Sequence, residues 1–421
     1  MYWLPNYKLE YFKNDLISGI TVAIMLIPQG MAYALIAGLP PIYGLYAALT
    51  PQIVYAFLGT SKQLAVGPVA MDSLLVAAGL GAISIVGPSQ YIQMALLLAL
   101  LMGVIQFVLG LLRMGFIVAF LSKPVISGFT SAAAIIIGLN QIKHILGISI
   151  PQSNKIHVFI SLIMNSQNQI NFYTLAIGLI SILLLVLIKK WNTKIPSALL
   201  VVIMSIFYVS FTNYDQMGLA IVGNIPDGLP NFIFPVLEWD IIKSLLPISL
   251  TIALVGFMEA ISIAKSIEEK NKTDEINPNQ ELIALGASNI IGSFFQSYPT
   301  SGGFSRTAVN NQSGAKTGVS ALISAIIVGV ILSFFTDWFY YLPKAALGAI
   351  IIVAVTNAIY NKRKKKLISS MSPPMDYMQQ VGLNCPDYWI RTSNGNGKVT
   401  CQNTYNLKQK NNSCPAVQTF K

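Results

Sequence analysis

The chain has 421 residues, of which 54% are hydrophobic and only 10% charged, with a mean hydropathy of +0.62. That balance excludes a soluble globular protein and puts most of the mass in a bilayer. The net charge of +11 looks like that of a nucleic-acid binder, but threaded through the spans below, about 16 Lys and Arg fall on one side and about 4 on the other, the bias of the positive-inside rule. No nucleic-acid partner is expected.

Roughly twelve apolar runs can be read, each near the ~20 residues that a bilayer demands. Residues 1–15 are polar and aromatic, so no cleavable leader is expected there. The first run, 16–37, contains Pro28-Gln29-Gly30, which predicts an irregular middle. The second covers 43–58. The third opens at Pro68, where proline suits the first helical position because its missing N–H costs nothing. The fourth covers 91–112, and the fifth 116–139, broken by Lys123-Pro124. A polar stretch, 140–171, carries both histidines, His144 and His157. Runs six and seven, 172–188 and 196–211, are separated by Lys189, Lys190 and Lys194. An acidic loop follows, with Asp215, Asp227, Glu238 and Asp240. Run eight, 245–264, contains the intramembrane acid Glu259. Run nine is 282–295, run ten is a broken segment, run eleven is 319–335 and run twelve 345–359.

With the N-terminus inside, this threading puts Lys62, Arg113, Lys189, Lys190, Lys265, Lys316 and the block Lys362 to Lys366 in the cytosol. Both termini are then cytoplasmic. Residues 1–366 form the transmembrane domain, and 367–421 a polar, asparagine-rich cytosolic tail of unknown nature, disordered or a small appendage around Cys385, Cys401 and Cys414. The cysteine spacings match no zinc pattern.

The broken tenth segment, Tyr298 to Asn311, holds an arginine, four serine and threonine hydroxyls and a glycine pair between apolar runs. At that depth non-helical backbone is tolerated only where it is buried in protein or lines a cavity. Gly302 and Gly303 permit an extended segment, and a short helix is expected to start near Phe304 or Ser305. Its free N–H groups and positive dipole end would make an anion site. Arg306 in the first turn is unfavourable there unless an anion, or a buried carboxylate, sits beside it. A matching segment, Val66-Gly67-Pro68-Val69-Ala70, lies in the first half. Two such interrupted segments at corresponding places point to a transporter's central site.

The motifs Ile27-Pro28-Gln29-Gly30-Met31-Ala32-Tyr33-Ala34, Leu39-Pro40-Pro41-Ile42-Tyr43-Gly44-Leu45-Tyr46, Gly59-Thr60-Ser61-Lys62 and Val66-Gly67-Pro68-Val69-Ala70 resemble the sulfate permease family, also called SulP or solute carrier 26. The second half agrees, with Glu259-Ala260-Ile261-Ser262-Ile263-Ala264-Lys265, Asn279-Gln280-Glu281-Leu282 and Gly303-Phe304-Ser305-Arg306-Thr307-Ala308-Val309-Asn310. The likeness runs from about Leu9 to Asn361. It implies an all-α polytopic membrane protein, an inverted-repeat transporter of seven plus seven segments. A core of segments one to four and eight to eleven would hold the anion between half-helices three and ten at the midplane. A gate of segments five to seven and twelve to fourteen would scaffold its movement. About twelve of fourteen segments can be read here, with no segments thirteen and fourteen and no STAS domain. That departure leads to the expectation of anion binding with slow or absent coupled uptake.

The resemblance places Ser305 and Arg306 in the anion-site motif, with Gly303 where some relatives have a hydroxyl, which would widen the pocket or remove a donor. Phe304, Pro68, Val69 and Ala70 complete the two half-helix starts. Gln29 and Tyr33, one helical turn apart, can both face the site, although core packing would equally explain Tyr33. Glu259 stands where proton-coupled relatives carry a coupling carboxylate; the alternative is a permanent Glu259–Arg306 pair holding two helices. Asp72 is a second candidate, or a local cap. No catalytic residue, metal site or cofactor is expected, since Ser305 has no histidine within reach. The function that follows is secondary transport of an inorganic anion, sulfate with protons (or Na+), by elevator-like movement in a homodimer. The alternatives are bicarbonate or chloride transport, or a truncated non-transporting relative acting as regulator or remnant.

Overall fold

The computed structural model describes residues 4, 7–81, 83, 87–116, 123–148, 161–162, 164–166, 169–191, 197–212, 218–271, 275–356, 389–393, 399–403 and 417–420. They fall into two units, Met1–Thr356 and Asn357–Lys421. In the first unit helices follow the apolar runs: α1 (Leu9–Ile36), α2 (Pro41–Leu58), α3 (Ala70–Gly81), α4 (Pro88–Leu111), α5 (Lys123–Leu146), α6 (Phe172–Trp191) and α7 (Ser197–Thr212). After the acidic loop come α8 (Trp239–Asn271), α9 (Pro278–Phe294), α10 (Phe304–Gln312), α11 (Val319–Phe334) and α12 (Lys344–Thr356). Two short strands, β1 (Val66–Gly67) and β2 (Ser301–Gly302), interrupt the helical pattern. By length and composition α1, α4, α6 and the Trp239–Glu269 part of α8 can each cross a membrane, and α3, α7, α11 and α12 are shorter apolar helices.

The irregular middle expected for the first run is not there: α1 is continuous through Pro28. A proline inside a membrane helix is tolerated where neighbours take up the freed backbone groups. The adjoining Gly30 serves packing instead. A Cβ on Gly30 would stand 2.9 Å from the Gly44 carbonyl oxygen, and one on Gly44 only 2.0 Å from that of Gly30, so α1 and α2 cross backbone to backbone. The same device joins α4 to α9, where a Cβ on Gly286 would lie 2.4 Å from the Phe107 nitrogen. Small residues at such crossings let dispersion replace the hydrophobic drive that lipid cannot supply.

Packing around these crossings gathers α1, α2, α4, α8, α9 and α11, with Leu26, Met31, Leu45 and Val328 fully buried at its centre. The helices α5, α6 and α7 pack in sequence on one another, and α12 meets α5 where Gly348 abuts His144. On α6 and α7, Leu179, Ile180, Leu183, Leu187, Met204 and Phe207 are exposed. An exposed apolar band on helices this hydrophobic is a face for lipid tails.

At the end of the fold that carries Lys62 and Lys316, buried carboxylates staple the loops. Glu281 on α9 is fully buried and accepts from Tyr55 Oη (2.7 Å), Thr60 N (2.7 Å), Thr60 Oγ1 (2.6 Å) and Ser61 N (3.2 Å). Asp15 on α1 does the same for Lys316 N, Thr317 N and Thr317 Oγ1. Glu281→Ala leaves four donors without an acceptor. It should destabilise the chain by about 3 kcal/mol, the cost of buried charge-assisted bonds lost with their partners left unpaired. The measurement is thermal unfolding in detergent, and a midpoint equal to wild type would remove the staple from the account.

The second unit contains an antiparallel sheet in the order β3 (Trp389–Ser393), β4 (Val399–Asn403), β5 (Val417–Phe420). Cys401 lies on β4, opposite Arg391 and Gln418. Cys385, Cys414, His157 and the block Lys362 to Lys366 lie outside the described residues.

Candidate anion-binding site

Backbone that leaves the helix inside a bilayer must find its hydrogen bonds in protein. The two broken segments find theirs in each other. β1 and β2 pair antiparallel, Val66 opposite Gly302 and Gly67 opposite Ser301. Gly303 N donates to Ala65 O at 3.0 Å, and Ala65 N donates to Thr307 Oγ1 at 3.0 Å. Asn289 of α9 holds the approach to β2: its Oδ1 accepts from Thr300 N (2.8 Å) and Oγ1 (3.1 Å), while its Nδ2 donates to Thr300 O (3.0 Å) and Gln106 Oε1 (3.3 Å). Asn310 Nδ2 reaches back to Gln63 O at 2.9 Å.

Because the strands are antiparallel, the chain leaves them at opposite ends, and each exit enters a short helix. α3 starts at Ala70 and α10 at Phe304. Each therefore brings its unsatisfied first-turn N–H groups and its positive end close to the strand pair. Pro68 does not occupy the first helical position as expected. It lies two residues ahead of α3, with its Cγ 3.5 Å from where a Cβ on Gly30 would be, while Val69 O accepts the first helical bond from Ser73 N at 3.0 Å. Pro68 thus seats the segment on α1, and both Pro68 and Val69 are buried.

Arg306 is 2% exposed. Its guanidinium folds back over Gly303, the residue before α10, and toward Gly67 of β1: a Cβ on Gly303 would stand 2.6 Å from Nη2, and one on Gly67 3.5 Å from it. The bare face of Gly303 is the space that the Arg306 side chain occupies. Arg306 Nε and Nη2 have no hydrogen-bond partner. A buried cation with free donors is costly unless an acceptor arrives.

Tyr33, Tyr298 and Glu259 surround that guanidinium within Coulombic range. Among the described residues no Glu259–Arg306 ion pair forms, and Glu259 Oε2 has no partner. Gln29 is 8% exposed with an unpartnered Oε1, one turn before Tyr33 on α1. Ala70 is half-buried, whereas Phe304 and Ser305 are exposed at the start of α10, with Ser305 on the open side of the helix end where Arg306 turns inward. Sequence reasoning missed Ser301, Tyr298, Thr307 and Asn289. They are ordinary polar residues in apolar surroundings, and only their partners show what they do.

A helical membrane protein whose two half-helices start from one crossed strand pair has the architecture of a secondary transporter. Comparison with known proteins gives that class a family. The sulfate permease family matches residues 12–379. Sulfate transporter 4.1, chloroplastic, of Arabidopsis thaliana is 45% identical over 368 residues, 85% of this chain and 53% of that protein. The sodium-independent sulfate anion transporter of Bos taurus is 38% identical over 400 residues, 87% of this chain and 65% of that one. Murine solute carrier 26 family member A9, an anion transporter solved in the inward-facing state, superposes with a TM-score of 0.80 at 29% identity, over 88% of this chain and 64% of that one. The transmembrane domain of the cyanobacterial bicarbonate transporter BicA shares the fold, with a TM-score of 0.76 at 23% identity, over 83% of this chain and 90% of that one.

The chain belongs to the sulfate permease family, whose members are integral membrane transporters rather than enzymes. It spans about half the length of the plant relative.

Proposed function

We propose that this chain carries a small inorganic anion across the membrane, with sulfate as the anion and protons as the coupling ion. The observation that carries this reading is Arg306, a fully buried cation with two unpartnered donor nitrogens at the meeting point of two positive helix ends. An anion held there accepts from the guanidinium, from first-turn N–H groups and from the exposed Ser305 hydroxyl. Gln29 and Tyr33 close the side formed by α1, and Pro68, Val69 and Ala70 the side formed by α3. The names of the plant and bovine relatives support sulfate. Glu259 couples the anion to a proton: once neutral, it no longer offsets the arginine, and the anion binds more tightly. Helices α1–α4 and α8–α11 move as a core against α5–α7 and α12, in a homodimer, with the Lys62 and Lys316 end in the cytosol.

The test is a titration of the purified chain with sulfate, bicarbonate and chloride. A dianion gains roughly twice the Coulomb energy of a monoanion in the same field, so sulfate should bind at least about tenfold more tightly than chloride, or ~1.4 kcal/mol. Equal or tighter binding of chloride or bicarbonate would exclude sulfate as the anion this site is built for.

A further inference from the structure

Asp72 has no task in the reading above. It stands in the first turn of α3 with 0% exposure, and neither of its oxygens has a hydrogen-bond partner. A carboxylate in a first helical turn ordinarily takes up the free N–H groups there. This one faces away, across the strand pair. Its Oδ1 lies 3.5 Å from the point where a Cβ on Gly256 would stand, and Ser301 Cβ lies 3.3 Å from that same point. Ser301 is itself fully buried, and its hydroxyl faces the Asp72 carboxyl without closing a well-formed hydrogen bond to it. Gly256 precedes Glu259 by three residues on α8, so the two share a helix face one turn apart. The Asp72 and Glu259 carboxyls are within Coulombic range of each other.

Every element packed around Asp72 bears on its charge. α8 brings Glu259 and the chain before β2 brings Tyr298, while Tyr33 on α1 and Arg306 on α10 stand beside Glu259. α4 carries a single ionisable residue, Tyr91 in its first turn, and those of α5, Lys123, Lys143 and His144, lie at its ends. Among the described residues, Arg306 thus faces Glu259, and Glu259 in turn faces Asp72.

We propose that Asp72 is a second proton-carrying group of the transport site, so that two protons bind with each sulfate. This rests on the anion reading proposed above. Charge balance is the physical argument. With Arg306 cationic and both carboxyls ionised, the empty site carries one net negative charge. Sulfate with two protons adds nothing to that sum, whereas sulfate with one proton adds another negative charge. A site of equal charge loaded and empty meets the same electrostatic barrier in the membrane in both directions. Each proton comes from the adjoining water, forms an O–H bond on a carboxyl oxygen and returns to water on the other side; nothing is oxidised or reduced. With Asp72 protonated, the start of α3 is freed of a competing anion.

The experiment is calorimetric titration of the purified full chain with sulfate, repeated in buffers of different ionisation enthalpy to count protons taken up per anion. It runs from about pH 5 to about pH 9, so that both carboxyls pass between their two forms. The wild type should reach a maximum close to two protons, Asp72→Asn a maximum close to one, and Asp72→Glu should return to two. Sulfate binding with never more than one proton in the wild type overturns the proposal, as does the same count in wild type and Asp72→Asn. Should Asp72→Asn fail to fold, the wild-type maximum alone decides. A folded wild type that binds no sulfate at all would overturn the anion reading itself, a different result from a low proton count.

Discussion

Arg306→Ala is expected to abolish measurable sulfate binding by the purified chain, and Arg306→Lys to restore only part of it. A unit charge ~4 Å from one charge of the anion is worth about 4 kcal/mol at an effective dielectric of about 20, close to a thousandfold in affinity. Without it, two half-helix ends face Glu259 and Asp72 with no full positive charge to balance them. Lysine returns the charge as a point, but not the planar fork that leaves Nε and Nη2 open together. Nor does it fill the space above Gly303 and Gly67 in the same way. The measurement is sulfate titration of variants whose detergent elution and unfolding match wild type. Unchanged affinity in folded Arg306→Ala would sink the site.

Glu259→Gln is expected to tighten sulfate binding at about pH 9, where the wild-type carboxyl is ionised, and to flatten its dependence on pH. The amide mimics the protonated carboxyl in size and removes one negative charge from the neighbourhood of Arg306. A charge ~8 Å from a dianion costs roughly 2 kcal/mol at an effective dielectric of about 40, so the gain should be about thirtyfold. Wild-type affinity rises as pH falls because the proton and the anion favour each other's binding. The variant keeps only the part of that rise that Asp72 supplies, and Glu259→Gln combined with Asp72→Asn should lose it. A Glu259→Gln protein whose affinity follows pH as steeply as wild type would remove Glu259 from the coupling.

Much of this was open to a one-dimensional reading, because a bilayer imposes one-dimensional rules. An apolar run must reach a set length, charges inside it are costly, and broken backbone needs a reason. Those rules alone place the apolar runs that become α1 to α12, single out Glu259 and Arg306, and locate the start of α10 near Phe304 or Ser305. They fail where a local signal has a distant explanation. Pro28-Gln29-Gly30 reads as a break, yet Gly30 is there because Gly44 crosses it and α1 stays whole.

What only the tertiary structure decided are pairings across more than two hundred residues of chain. No period or composition shows that Val66 meets Gly302, that Thr60 and Tyr55 share Glu281, or that Asp72 and Ser301 converge on Gly256. Nor does the sequence show that Arg306 turns onto the bare face of Gly303 and leaves Glu259 unpaired. Helix formation in lipid is fixed locally, since each helix satisfies its own backbone. Which polar side chain answers which broken strand depends on how the helices pack, and packing between equally apolar helices leaves almost no trace along the chain.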